Sequence, residues 1–305
     1  MTDDFRPDSA IPDSGGHIDD TLSRSQGPWA SALRQLLSDR IALACTGVLL
    51  LFFLVAAAAP YLAPYDPFLA QPGKSLLPPG PEHLFGTDLI GRDVLSRVVY
   101  GARLSLVIGF VSVGISAAVG VVLGLIAGYY GRLTDAVIMR FVDMLMAFPG
   151  ILLALTIVAM LGPGLTNVMI AVGIGGIANY VRLVRASVLS IKQQPYIEAV
   201  RSVGAGNLRI MFRHVLPNAL PPVLVLVSMS YGWALLSAAG LSFLGLGAEP
   251  PTVEWGSMLN DARALLRVAP WAAVFPGLAI MCVVLASNLL GESLRDSLDP
   301  QQRSR

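Results

Sequence analysis

Few residues in this chain could do chemistry, and they are scattered. Three histidines, His17, His83 and His214, fall in polar stretches away from the apolar runs, so no Ser–His pair of an intramembrane hydrolase can be assembled from them. Cys45 and Cys282 each sit inside an apolar run without a neighbouring Cys or His, the setting of small core residues rather than of a metal centre or disulfide framework. Gly73-Lys74-Ser75 is the one trace of a phosphate loop. Phe68 stands where its first glycine is required, Pro72 precedes it, and no strand–turn–helix context surrounds it. No catalytic residue, metal or cofactor is therefore expected on this chain. Asp143 is the carboxylate that an ion-coupled secondary transporter could use. Lying three residues after Arg140, it is expected to form an (i, i+3) ion pair or a headgroup contact instead. In Gly86-Thr-Asp88 and Gly91-Arg-Asp93, the carboxylates and guanidinium suit a turn closed by ion pairs.

The elements that carry these residues belong in lipid. Of 305 residues, 54% are hydrophobic and 13% charged, with a mean hydropathy of +0.66, which excludes an ordinary soluble domain. A net charge of +1 gives no footprint for nucleic acid. A helix needs about 20 mostly apolar residues to cross a bilayer. The runs Ile41–Ala59, Leu104–Ala127, Phe141–Leu161, Val168–Val181, Val223–Leu246 and Trp271–Leu290 come near that length, so six transmembrane helices are expected. The fourth run is short, and Arg182 and Arg185 are expected to reach headgroups from its continuation. Gly120, Gly124 and Gly128 leave one face of the second span bare, so a neighbouring backbone should approach closely there.

Residues 1–27 are too polar to bury a core and are read as a disordered tail without the start of a cleavable signal peptide. Trp29, Leu33, Leu36 and Leu37 then fall at helical spacing, which fits an amphipathic surface helix or an extension of the first span. The chain thus divides into the tail (1–27), a segment holding the first span and a long loop (28–103), a core of five further spans (104–298) and a closing tail (299–305).

Lys and Arg number 4 in residues 1–40, 2 in 128–140, 6 in 182–218 and 3 after the last span. The intervening loops hold 3 in 60–102, none in 162–167 and 2 in 247–270. This bias places both termini and the loop 182–218 in the cytoplasm.

That loop has structure of its own. Pro195 suits a first helical turn, Gly204 can take the left-handed conformation that ends a helix, and Asn207 could cap a second short helix ending before Leu216, the residue ahead of Pro217. A helix-turn-helix over 193–218 results. With Ala199, Val200 and Val203 on an apolar side and Glu198, Arg201 and Arg209 available for polar contacts, it fits either a groove of a soluble partner or the chain's own membrane helices.

Glu198-Ala199-Val200, Gly204 and Leu216-Pro217 resemble the EAA loop of permeases in ATP-binding-cassette importers. The wider phrase from Tyr180 to Asn218 is similar to C-type subunits of dipeptide, oligopeptide and nickel importers, as are Phe85–Asp93, Leu241–Gly247 and Asn288–Pro300. Val200 replaces the second alanine of the general pattern. His214 stands where that pattern has isoleucine, as is common in the peptide branch.

The resemblance implies an all-α membrane protein with the type I importer permease fold, in a bacterial cytoplasmic membrane. It further implies a second homologous permease, two ATPase subunits that hold ATP and Mg, and an extracytoplasmic solute-binding protein. Glu198, Ala199, Val200, Gly204, His214, Leu216 and Pro217 are the residues it assigns to ATPase coupling. Peptide cargo is the family expectation, with nickel and other small solutes as alternatives.

Overall fold

The computed structural model describes residues 36–298. The expected tails at 1–27 and 299–305, and the amphipathic segment around Trp29 and Leu33, lie outside them. Apart from the single helical turn Ala59–Leu62, ten helices organise the described residues: α1 (Arg40–Ala57), α2 (Val94–Tyr130), α3 (Arg132–Met146), α4 (Gly150–Leu161), α5 (Leu165–Lys192), α6 (Pro195–Ser202), α7 (Asn207–Ile210), α8 (Leu216–Phe243), α9 (Trp255–Ala262) and α10 (Trp271–Leu298). Short helical turns lie between some of them, and the one β-contact described is the isolated bridge Thr87–Asp93.

Five helices are long and apolar enough to cross a bilayer, and they match five of the six expected runs, of which Ile41–Ala59 and Val223–Leu246 overshoot their helix ends by less than a turn. The run Phe141–Leu161 is corrected. It is not one straight span, because α3 and α4 meet at a bend of 90° around Ala147, Phe148 and Pro149. Pro149 cannot donate a backbone N–H to continue α3, and its extended conformation (ψ 131°) starts a new helix instead. Helix α4 alone is only about 18 Å long, so a sixth crossing requires the bent pair together.

The bundle has a lipid-soluble exterior and a small-residue interior. Leu50, Leu54, Phe110, Leu236 and Met281 are exposed. Buried contacts instead use Ser, Gly and Ala: Ser116 Oγ donates to Gly173 O at 2.6 Å, and Ser112 Oγ to Met169 O at 3.1 Å. Such close contacts are what joins helices when lipid removes the hydrophobic drive between them. The glycine stripe of α2 does what its spacing implied. A Cβ on Gly124 would lie 2.7 Å from Val181 O, one on Gly128 would lie 2.8 Å from Val188 Cβ, and Gly120 faces the Cβ of Tyr180, all on α5.

One end of the bundle is closed by residues 60–93 and 247–270. Asp93 caps α2, accepting from Ser96 N at 2.8 Å, and its other oxygen lies 2.9 Å from His83 Nδ1. Asp88 accepts from Arg92 Nε at 2.6 Å and lies 3.7 Å from Arg97, while Asp261 of α9 lies 3.4 Å from Arg92. The ion-paired turn expected at Gly86–Asp93 is present, and it extends to α9. Glu254 caps α9 through Gly256 N and Ser257 N, and burial pushes its carboxyl above the usual range. Beside it Trp255 is fully buried, with Nε1 donating to Val98 O at 2.9 Å.

Candidate functional site

The opposite end of the bundle carries the loop 193–218, which joins α5 to α8. Pro195 opens α6 as its first residue, where a missing N–H leaves no bond unmade. Gly204 ends α6 at φ +83°, donating to Arg201 O at 3.0 Å, and Ala205 N donates to Val200 O at 3.3 Å. Those two bonds form a Schellman cap, and the partly buried Val200 and Ala205 on either side of it both pack against the core. An added Cβ on Gly204 would meet nothing within 4 Å, so its requirement is conformational rather than steric.

Two expectations for the second half of the loop are corrected. Gly206, not Asn207, is the N-cap of α7, and Asn207 Oδ1 instead accepts from Tyr129 OH at 2.9 Å, tying the loop to the end of α2. Nor does the second helix stop before Leu216. It runs from α7 through a π-helical turn, Met211–Val215, directly into α8. The wider turn, in which Leu216 N donates to Met211 O, makes room for Pro217 in the first turn of α8. Asn218 Nδ2 then donates to His214 O at 2.6 Å, satisfying a carbonyl beside the irregular turn.

The seven expected site residues do not share one surface. Glu198, Ala199, Gly204 and Pro217 are exposed, whereas Val200, His214 and Leu216 are half-buried. Val200 and Leu216 pack against the core, whose floor here is the fully buried Ile197, Ile210 and Val215. The inner face of the loop is therefore seated on its own helices. Its outer face shows Tyr196, Val203, Leu208 and Phe212 at 42%, 83%, 65% and 59% exposure. Of these, sequence reading singled out only Val203. Leu208 and Phe212 stand at ordinary i, i+4 spacing, and only the burial of Ile197 and Ile210 against the bundle decides that their side faces outward. Glu198, Arg201, Arg209 and Arg213 border this apolar surface, and no ion pair among the described residues engages them.

Beneath the loop, α3 and α5 are laced by charge. Arg182 Nη2 donates to Asp143 Oδ1 at 2.7 Å, correcting the expected Arg140–Asp143 pair. Arg185 grips Asp135 through two bonds, with Nη2 to Oδ2 at 2.6 Å, so these arginines hold carboxylates rather than headgroups. Lys192 Nζ donates to Tyr129 O at 2.7 Å, capping the carbonyl end of α2 beside the root of the loop. Asp143 is thus an ion-paired residue beside the loop, not a carboxylate alone in the bilayer. A seated inner face, an uncovered apolar outer face and unpaired flanking charges leave the loop able to receive another protein and to pass its movement to α5 and α8.

Comparison with known proteins agrees with this geometry. Residues 120–304 match the family model described as binding-protein-dependent transport system inner membrane component, and residues 27–79 match that of the N-terminal TM domain of oligopeptide transport permease C. The dipeptide transport system permease protein of Alkalihalophilus pseudofirmus is 47% identical over 277 residues, covering 91% of each chain. The glutathione transport system permease protein of Escherichia coli is 49% identical over 275 residues, covering 90% of this chain and 91% of its own. Among solved structures, an inward-facing form of the MetNI methionine ABC transporter superposes with a TM-score of 0.54 at 20% identity, covering 67% of this chain and 97% of that one, which is a likeness of fold. An all-helical bundle with a seated interhelical loop, matched over most of its length, belongs to the family of binding-protein-dependent transport system inner membrane components, and the chain is a permease subunit of an ATP-binding-cassette importer.

Proposed function

We propose that the chain forms half of a peptide pathway and is driven through the loop 193–218. The observation that carries this reading is the outer face of that loop, where Tyr196, Val203, Leu208 and Phe212 stay uncovered although Ile197, Ile210 and Val215 behind them are fully buried. Large apolar groups on a polar loop fit a groove in a soluble partner. Here the partner is an ATPase subunit that holds ATP and Mg. Glu198 and the flanking arginines supply polar contacts at its rim, and Gly204 sets the turn that presents the surface.

In this reading the loop lies in the cytoplasm with both chain termini, as the arginine bias supports, and the ion-paired end faces a solute-binding protein outside. A second homologous permease completes the pathway and a second ATPase completes the pair. Closure of the ATPases on ATP moves the rigid loop, and the continuous helix from Asn207 to Phe243 transmits that movement into the bundle. Peptide cargo is supported by the relatives named for dipeptide and glutathione transport.

Affinity purification from native membranes in mild detergent, with mass spectrometry of the partners and an ATPase assay, tests the assembly. Recovery of a second permease with ATPase subunits is expected. Recovery of this chain alone or as a homo-oligomer, in a detergent that keeps a comparable importer intact, would overturn it.

A further inference from the structure

We infer that the middle of α5 and α8 presents a water-lined face on which Asn179 and the Tyr180 hydroxyl hydrogen-bond the amide backbone of the solute in transit. Two cavities meet there. One, of about 180 Å³, lies between α2, α5 and α8. The other, of about 830 Å³, opens toward the loop end between α5, α8 and the last turns of α10. Both are lined by Asn179 and Met229, so they adjoin there.

Two polar groups at this junction lack a well-formed hydrogen bond. Tyr180 is 1% exposed, and its hydroxyl, which faces Ser230 of α8, makes no hydrogen bond of good geometry although it sits among packed helices near the midpoint of α5. Asn179 is exposed at the same depth, and its amide makes no hydrogen bond among the described residues. Neither arrangement suits lipid, where an unpaired polar group has no water to turn to. Both suit a face that water and solute visit. Gly120 contributes by letting the Tyr180 Cβ lie against α2, which fixes where the ring points.

The chemistry of the lining selects a solute class. The smaller cavity has no charged residue, its polar groups being hydroxyls, the Asn179 amide and the Trp233 indole N–H. An ion would find no counter-charge there, whereas an amide group finds both donors and acceptors. Charge appears only in the wider cavity, as Arg182, already held by Asp143, and as Arg295, which no described carboxylate pairs. A short peptide, with neutral amides and a free carboxylate for Arg295, matches that sequence of groups. Only the identity of the solute rests on the peptide reading; the watered face is independent of it.

The test uses the assembled transporter with its ATPases in proteoliposomes, in a background carrying Cys45→Ser and Cys282→Ala. A water-soluble maleimide should label Asn179→Cys within about tenfold of the rate at the exposed loop position Ser202→Cys, and should leave Phe110→Cys, on the outer face of α2, unlabelled. Equal unreactivity of Asn179→Cys and Phe110→Cys would overturn the watered face. Uptake of radiolabelled dialanine by Tyr180→Phe, which removes one oxygen and leaves the packing, should fall roughly three- to tenfold, the scale of one lost hydrogen bond. Unchanged uptake together with a raised unfolding temperature would make the hydroxyl a buried cost only and overturn the contact. If wild-type transporter carries no dialanine while Asn179→Cys is labelled, the peptide reading fails and the watered face stands.

Discussion

Both ends of the bundle expose apolar side chains, Leu84 and Val268 at one and Val203 and Leu208 at the other, but they treat charge differently. At the end closed by residues 60–93 and 247–270, Asp88, Asp93 and Arg97 are buried and engaged, and the stacked rings of Phe85 and Phe275 are 3.8 Å apart. At the 193–218 end, Arg201, Arg209 and Arg213 are exposed and Val203 is 83% exposed. The first end ties its buried charges to one another, whereas the flanking arginines of the second make no ion pair among the described residues. Stability and function should therefore separate along the axis of the molecule, with substitutions at the closed end unfolding the subunit and substitutions at the open end uncoupling it.

The largest effect on stability is expected at the closed end. Asp88→Ala leaves Arg92 and Arg97 with only the more exposed Asp261 carboxylate and should cost about 3 kcal/mol, read as a lowered unfolding midpoint of the purified protein. ATPase recovery per folded subunit should stay normal. Next comes Gly204→Val. A β-branched residue at φ +83° costs about 1–2 kcal/mol locally, so the loop should lose its shape and copurification of the ATPases should fall sharply while the bundle remains inserted. Gly204→Asn, which tolerates that conformation, should retain most of the recovery. Phe212→Ala should change the unfolding midpoint by no more than about 0.5 kcal/mol in equivalent stability yet weaken ATPase recovery, because its ring is 59% exposed in the isolated chain. Tyr129→Phe removes the bond to Asn207 and should loosen the loop by about 1 kcal/mol, detected as faster hydrogen exchange over 204–210. The smallest change is expected for Asp143→Asn. Its pair with Arg182 is half-exposed and worth about 0–1 kcal/mol, so ATP-driven uptake should persist. Loss of uptake together with loss of a proton or sodium dependence would revive ion coupling.

What could be read from sequence follows the range over which each signal acts. Hydropathy finds an apolar run wherever composition changes, and five long helices match the expected runs to within a turn at their ends. It averages over a break, which is why the bend at Pro149 did not register in Phe141–Leu161. Gly204 was legible because a left-handed cap is a local demand, and the glycine stripe because its spacing alone bares a helix face. Pro217 misled, since the bias against helix before proline yields when a π turn absorbs the missing donor. Arg182–Asp143 and Arg185–Asp135 join residues 39 and 50 positions apart, beyond any spacing rule for a single helix. Leu208 and Phe212 were passed over for a related reason: which side of the loop is outward depends on what Ile197 and Ile210 are buried against.

The most direct test of the loop's role is a cross-link from its outer face. Val203→Cys, carrying a short photoactivatable reagent in the assembled transporter and analysed by mass spectrometry, should attach to an ATPase subunit, with attachment altered by ATP. Attachment only to lipid or to this chain's own helices, while ATPase subunits still copurify, would mean that the partner docks elsewhere and that the uncovered face is not the coupling surface.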